Sequence, residues 1–184
     1  MKKKYRDLLF TVMFVLFVLA VKLIPIPSVD GHNRISEQAI HSQTVKRMAI
    51  ERVLKRYNSP LTPYTGTFIN NCRKYNFNCY LLPSISGVES GFGHVLILAA
   101  KNPFGWGGGY IYFSSWENGI DTVAKGLHKN YIRAGLTNPY LIAPVYAPPS
   151  QTWAGNVNMY MQIFEREEEI VAKQFELLQK AEII

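Results

Sequence analysis

Leu81-Leu82-Pro83-Ser84-Ile85-Ser86-Gly87-Val88-Glu89-Ser90-Gly91-Phe92-Gly93 reads as a short apolar helix that stops on a carboxylate. It opens near Leu81-Leu82-Pro83, carries Ile85 and Val88, and ends where Gly91 and Gly93 tolerate the left-handed conformation that terminates helices. Glu89 is out of place there. A negative charge at a helix C-terminus is disfavoured, and apolar neighbours such as Leu82, Ile85 and Phe92 push its pKa upward by desolvation. A carboxyl kept protonated near neutral pH is what a general acid requires. The plain alternative is a solvated glutamate that merely ends a helix. Scarcity sharpens the choice, because between Arg52 and Phe164 the only acidic residues are Glu89, Glu117 and Asp121. Ser114 with Glu117 forms a capping-box pattern, and Asp121 follows in the first turns of the same helix, where the macrodipole favours it.

Outward from this stretch the pattern is helical. Ile50, Val53, Leu54 and Tyr57 fall on one stripe of a helix predicted over residues 36–57, which Asn58-Ser59-Pro60 ends. Thr62-Pro63 reads as an N-cap and first turn, with Phe68, Cys72 and Tyr75 at helical spacing behind it. Trp116, Ile120, Val123, Leu127 and Tyr131 mark an amphipathic helix, and Trp153, Val157, Tyr160, Met161 and Phe164 a last one. Asn102 to Phe113 (NPFGWGGGYIYF), rich in Gly and aromatics, predicts a loop with a short β-ribbon. The fold class is mainly α with that small β element.

ESGFG at Glu89 to Gly93, followed at short distance by KNPFGWGG, resembles the lysozyme-like peptidoglycan hydrolases. The likeness is to the bacterial β-N-acetylglucosaminidase (mannosyl-glycoprotein endo-β-N-acetylglucosaminidase-like) domain family, and it covers residues 45–164, from before NSPL (Asn58 to Leu61) to the closing Trp153-x-x-x-Val157 pattern. The resemblance implies a lysozyme-like helical domain with Glu89 as catalytic acid. It also implies that Asn102-Pro103-Phe104-Gly105 forms the floor of a sugar cleft, and that Tyr146, in VYAPPS, stands beside it and orients the N-acetyl side. Ser90, Phe92, Asn102, Phe104, Gly105 and Trp106 are the expected substrate-binding residues. The implied activity is cleavage of β-1,4 bonds in peptidoglycan glycan strands, as a β-N-acetylglucosaminidase, with muramidase or lytic transglycosylase chemistry as the alternative. Asn102 to Ser115 contains no Asp or Glu, so the second carboxylate that many such enzymes carry on a hairpin is missing. A single-carboxylate mechanism fits better, and a degenerate glycan-binding module is the non-catalytic rival.

Trp106, Tyr110, Tyr112 and Trp116 offer flat faces for sugar rings, although Trp116 on a helix stripe reads as core. His32, His41, His94 and His128 show no metal-ligand spacing, GWGGG lacks the Lys-Ser/Thr of a phosphate loop, and neither a metal nor another cofactor is expected. Cys72 and Cys79 are about 10 Å apart on one unbroken helix, too far to bridge. A break at Asn76-Phe77-Asn78 permits a disulfide; two small buried residues is the other reading.

The ends carry different signals. MKKKYRD precedes an apolar run from Leu8 to Val21, so residues 1–27 read as a signal peptide or an uncleaved membrane anchor reaching Ile26. Residues 28–44 then serve as a linker and the start of the first helix, and the positive-inside rule places residues 28–184 outside the cytoplasm. Of 184 residues, 48 % are hydrophobic and 18 % charged, which excludes a disordered chain. The +7 net charge is uneven: residues 32–164 hold twelve basic and five acidic residues, and residues 165–184 three and six. A basic exported domain suits an anionic cell-wall polymer, and no nucleic-acid partner is expected. Residues 165–184 predict a charged C-terminal helical extension with an apolar seam of Val171, Phe175 and Leu178. That seam also suits a tethered scaffold, or packing onto the domain.

Overall fold

Six α-helices account for most of the chain in the computed structural model, which describes residues 29–95 and 98–181. They are α1 (Val29–Arg56), α2 (Thr65–Lys74), α3 (Leu81–Ser90), α4 (Trp116–Asn130), α5 (Pro139–Tyr146) and α6 (Trp153–Ala181). Two units are distinguished, residues 1–40 and 41–184. The expected signal or anchor at residues 1–27 lies outside the described residues. Among the described residues no helix is long and apolar enough to cross a membrane.

The helices pack through the stripes their spacing marks out. Ile50, Val53 and Leu54 of α1, Phe68 of α2, and Ile120, Val123 and Leu127 of α4 are each no more than 1 % exposed. They meet Leu81, Leu82 and Ile85 of α3 and Val157 and Phe164 of α6 in one core. With α3 packed on α6 and α5 on α6, the C-terminal helix closes the side of the core from which Glu89 emerges. Burying these side chains contributes on the order of 1.5–3 kcal/mol each against chain entropy.

Several elements depart from the sequence expectations. No β-strand occurs among the described residues, so the expected ribbon at 102–113 is absent. Gly105, Gly107, Gly108 and Gly109 all take positive φ, between 61° and 81°, which coils the chain instead of extending it. The Asn102 side chain then ties the coil, its Nδ2 donating to Trp106 O (2.9 Å) and Ile111 O (3.1 Å) while Oδ1 accepts from Trp106 N (3.1 Å). The cap of α4 is Ser115, whose hydroxyl accepts from Asn118 N at 3.1 Å, one residue after the expected Ser114. Thr62 does not cap a helix through its side chain. It opens a short 3-10 turn (Thr62–Tyr64) ahead of α2, and its hydroxyl donates to Ser59 O at 2.8 Å. The first helix begins at Val29, inside the stretch expected as a linker.

Cys72 and Cys79 form a disulfide with Cα atoms 4.9 Å apart. The chain leaves α2 after Lys74 and reverses through Asn76 at φ 51°, which is the helix break that brings them together. At the other end, α6 runs without interruption from the core into the charged segment. Glu167 is buried, paired with Arg56 and, at 3.5 Å, with Arg52. Glu168 takes Lys46 Nζ and the Tyr80 hydroxyl, each at 2.6 Å. Val171 is fully buried and Phe175 meets His41 edge-on at 5.2 Å, whereas Leu178 is exposed. Through Val171, therefore, the segment is part of the packed unit; its seam does not extend to Leu178.

Candidate functional site

Glu89 occupies the last turn of α3, one residue before Ser90. The helix is stopped by Gly91 in the left-handed region (φ 57°, ψ 45°), whose N–H still bonds back to Gly87 O at 3.1 Å. Ser90 is buried and knits this end to the Asn102–Gly105 segment. Its hydroxyl accepts from Gly93 N at 2.9 Å and shares its proton between Pro103 O (2.8 Å) and Ser86 O (3.0 Å). The chain between Asn102 and Gly105 is thereby drawn against the helix end from which Glu89 projects.

The two carboxylate oxygens of Glu89 meet different surroundings. Oε1 accepts a 2.7 Å hydrogen bond from the indole Nε1 of Trp153, the first residue of α6. Oε2 faces Gly105, so closely that a Cβ built on that residue would lie 2.6 Å from it. Burial pushes the Glu89 pKa up from the ordinary carboxylate value, and the Trp153 hydrogen bond opposes the shift without cancelling it. A helix C-terminus acts in the same upward direction.

Glu89 and Ser90 open onto a hollow of about 260 Å³, walled by Asn102, Gly105, Gly108, Gly109 and the exposed Tyr110. Across the glycine coil lies a second hollow of about 360 Å³, lined by Trp106, Asn130, Tyr131 and Tyr146. The two share Gly105 and Gly108. Neither is lined by a carboxylate other than Glu89. Glu117 is exposed on the first turn of α4 and Asp121 holds Lys74 at 3.2 Å.

Tyr146, at the C-terminus of α5, stands where the two hollows are braced. Its hydroxyl donates to Phe104 O at 2.6 Å, and its ring stacks on Trp153 with centroids 4.9 Å apart. Burial, then the Glu89 carboxylate, then Tyr131 hold its phenol well above the usual range, so it stays a donor. That proton is committed to a backbone carbonyl. Trp106 is half-buried against α4, where a Cβ on Gly126 would fall 2.3 Å from its ring, and it tilts towards Tyr146 at 5.9 Å. Trp116 is half-buried beside Tyr64.

Of the expected binding residues, Gly105 and Trp106 line hollows. Ser90 and Asn102 also border the first, but their polar atoms are engaged in holding the chain. Phe104 is fully buried, an edge-on neighbour of Phe68 at 6.5 Å, and offers only its carbonyl to Tyr146. Phe92 is a correction. At φ 60° it turns its ring away from the cleft, into a cluster with Tyr57 (4.6 Å), Tyr160 (4.9 Å) and Phe164 (6.2 Å), and it is 1 % exposed.

Trp153 and Tyr131 belong to the site, although the sequence marks both on helix stripes and Trp153 in the closing Trp153-x-x-x-Val157 pattern, with no site role for either. A signal for Trp153 existed, since a buried indole N–H requires an acceptor and acidic residues are scarce in this block. The chain matches no known family model and no curated protein sequence.

Proposed function

We propose that the protein is a peptidoglycan glycosidase in which Glu89 is the general acid, acting most simply as a β-N-acetylglucosaminidase of lysozyme-like fold. The observation that carries the reading is the Glu89 carboxyl itself. It is half-buried at a helix end, its pKa is raised, one oxygen is held by Trp153, the other lies against Gly105, and both Glu89 and Gly105 line an open hollow. The ESGFG and NPFGWGG likeness supports the substrate class. In the proposed step the carboxyl proton passes to the glycosidic oxygen as the bond to the anomeric carbon breaks, leaving its electron pair on that oxygen. Charge then accumulates at an oxocarbenium-like centre.

With no second carboxylate lining either hollow, capture falls to a nucleophile the protein does not supply. The substrate's own N-acetyl oxygen gives hydrolysis with retention, and its own hydroxyl gives an anhydro sugar. Glycan strands are the partner in this reading. The N-terminal 8–26 segment would hold the domain at the outer face of the membrane, or direct its secretion to the envelope.

The test is digestion of purified peptidoglycan by the full chain, wild type beside Glu89→Gln, with products read by mass spectrometry. Reducing-end N-acetylglucosamine from wild type alone is expected. Reducing or anhydro N-acetylmuramic acid moves the enzyme to the muramidase or transglycosylase branch. Equal products from both proteins remove Glu89 from the chemistry, and bound glycan with no product from wild type makes this a binding module.

A further inference from the structure

The chemical contrast between the two oxygens of Glu89 carries a consequence for where the acid proton sits. An indole N–H only donates. Oε1, 2.7 Å from Trp153 Nε1, must therefore act as an acceptor in both protonation states of the carboxyl. In the acid form the carbonyl-like oxygen is the stronger acceptor, so the bond favours the hydroxyl on the other one. That other oxygen, Oε2, is the one beside Gly105, and Glu89 and Gly105 both line the first hollow.

We propose that Trp153 is a positioning residue: its N–H holds Oε1 of Glu89 as acceptor and so assigns the transferable proton to Oε2, aimed past Gly105 into the hollow. This rests on Glu89 being the general acid.

The surroundings of Trp153 fit a part built to hold one orientation. Its own backbone N–H donates to Ser150 Oγ at 3.1 Å, fixing the start of α6. Its side chain is almost wholly buried and its ring lies on Tyr146, inclined by 28°. Tyr146 in turn grips Phe104 O, the carbonyl next to Gly105 in the chain. One continuous set of contacts therefore sets the distance between the carboxyl and the glycine that faces it. A tryptophan kept only for its bulk would leave its N–H pointing anywhere a solvent path allowed. Here it points at the one carboxylate of the site. The same bond favours the ionised form of Glu89, which opposes burial and keeps the proton transferable.

Two measurements on the full chain separate this inference from the function it rests on. In wild type, the Trp153 indole ¹H–¹⁵N resonance should titrate with the midpoint of the Glu89 carboxyl carbon, and the titration should vanish in Glu89→Gln. Trp153→Phe keeps an aromatic ring on Tyr146 and removes the N–H together with part of the indole's buried volume. Its Glu89 carboxyl should titrate at higher pH, and the alkaline limb of kcat against pH should move up with it. The kcat at the optimum should fall about ten- to a hundred-fold through lost orientation, with KM changed less than about twofold.

An indole resonance indifferent to Glu89 overturns the proposal without needing the variant to fold, and so does a Phe variant with an unmoved limb. Wild type that cleaves no peptidoglycan while the indole tracks Glu89 refutes the glycosidase reading and leaves the hydrogen-bonded assignment of Oε1 standing.

Discussion

Gly105→Ala is the substitution that tests the site most directly, because two separate penalties are written into one backbone position. Gly105 has φ +61°, and an L-residue there loses about 1–2 kcal/mol to crowding of its Cβ against its own backbone. The added Cβ would also stand 2.6 Å from Glu89 Oε2, roughly 0.8 Å short of the 3.4 Å at which contact becomes ordinary. The carboxyl is the softer of the two groups, so it yields, swinging by about that distance and straining its bond to Trp153. A displacement of that order in a reacting group costs on the order of a hundred-fold in rate.

Gly135 supplies the control. It has φ +83° and nothing within 4 Å of its virtual Cβ, and it lines neither hollow. Gly135→Ala should therefore show the backbone penalty alone, a fall in Tm of roughly 2–8 °C for a chain of this size, with wild-type turnover. Gly105→Ala should melt in the same range and lose most of its peptidoglycan cleavage, measured as soluble muropeptides released per unit time. If the two alanine variants turn over alike, Oε2 is not the working oxygen and the close approach of Gly105 has no catalytic meaning.

Glu89→Gln should abolish cleavage and raise stability at neutral pH. Because burial raises the folded-state pKa of Glu89, wild type is unpenalised below the unfolded carboxyl pKa and loses stability as pH rises through the folded value. The urea midpoints of the two proteins should converge at acid pH and separate in favour of Gln above it; a reversed order would mean the carboxylate is stabilised by the fold. Gly126→Ala gains up to about 1 kcal/mol of helix propensity but places a methyl 2.3 Å from the position of the Trp106 ring. The indole must shift off α4, which reshapes the second hollow that it lines, so KM for glycan should rise while the pH profile governed by Glu89 stays put, and an unchanged KM would take Trp106 out of the binding surface. Replacing Cys72 and Cys79 together by serine opens a loop closed at a separation of seven residues. By loop entropy that costs about 2–3 kcal/mol, readable as a lower urea midpoint that matches reduced wild type.

What was legible in the sequence is what short-range stereochemistry decides. The end of α3 follows from Gly91, whose left-handed turn needs no distant partner, and the helical stripes of α1, α4 and α6 bury most of the residues their spacing marks, although Tyr57 is exposed and Trp116 and Tyr160 are half-buried. The glycine-rich segment misleads for a physical reason. YIYF has the composition of a strand, but pairing requires an extended approach that four consecutive-range glycines at positive φ and the Asn102 ties prevent. Ser114 and Ser115 are chemically equivalent as caps, so residue type alone could not choose between them.

The departures at the site have a different origin. Phe92 is three residues from Glu89 in sequence yet lies on the opposite side of the chain reversal, because φ 60° turns it towards Tyr57 and Phe164. Trp153 is sixty-four residues away and makes the decisive hydrogen bond. Tyr146 gives its proton to Phe104 O, forty-two residues back in the chain. Residues near Glu89 in sequence thus set where its backbone stops, and residues far away set what its carboxyl does. The consequence is that substitutions at Ser90, Gly91, Phe92 and Gly93 should chiefly disturb folding of the turn, while substitutions at Trp153 and Gly105, like those at Glu89 itself, should chiefly disturb proton transfer. A mutational series that showed the opposite division would place the chemistry somewhere other than the Glu89 carboxyl.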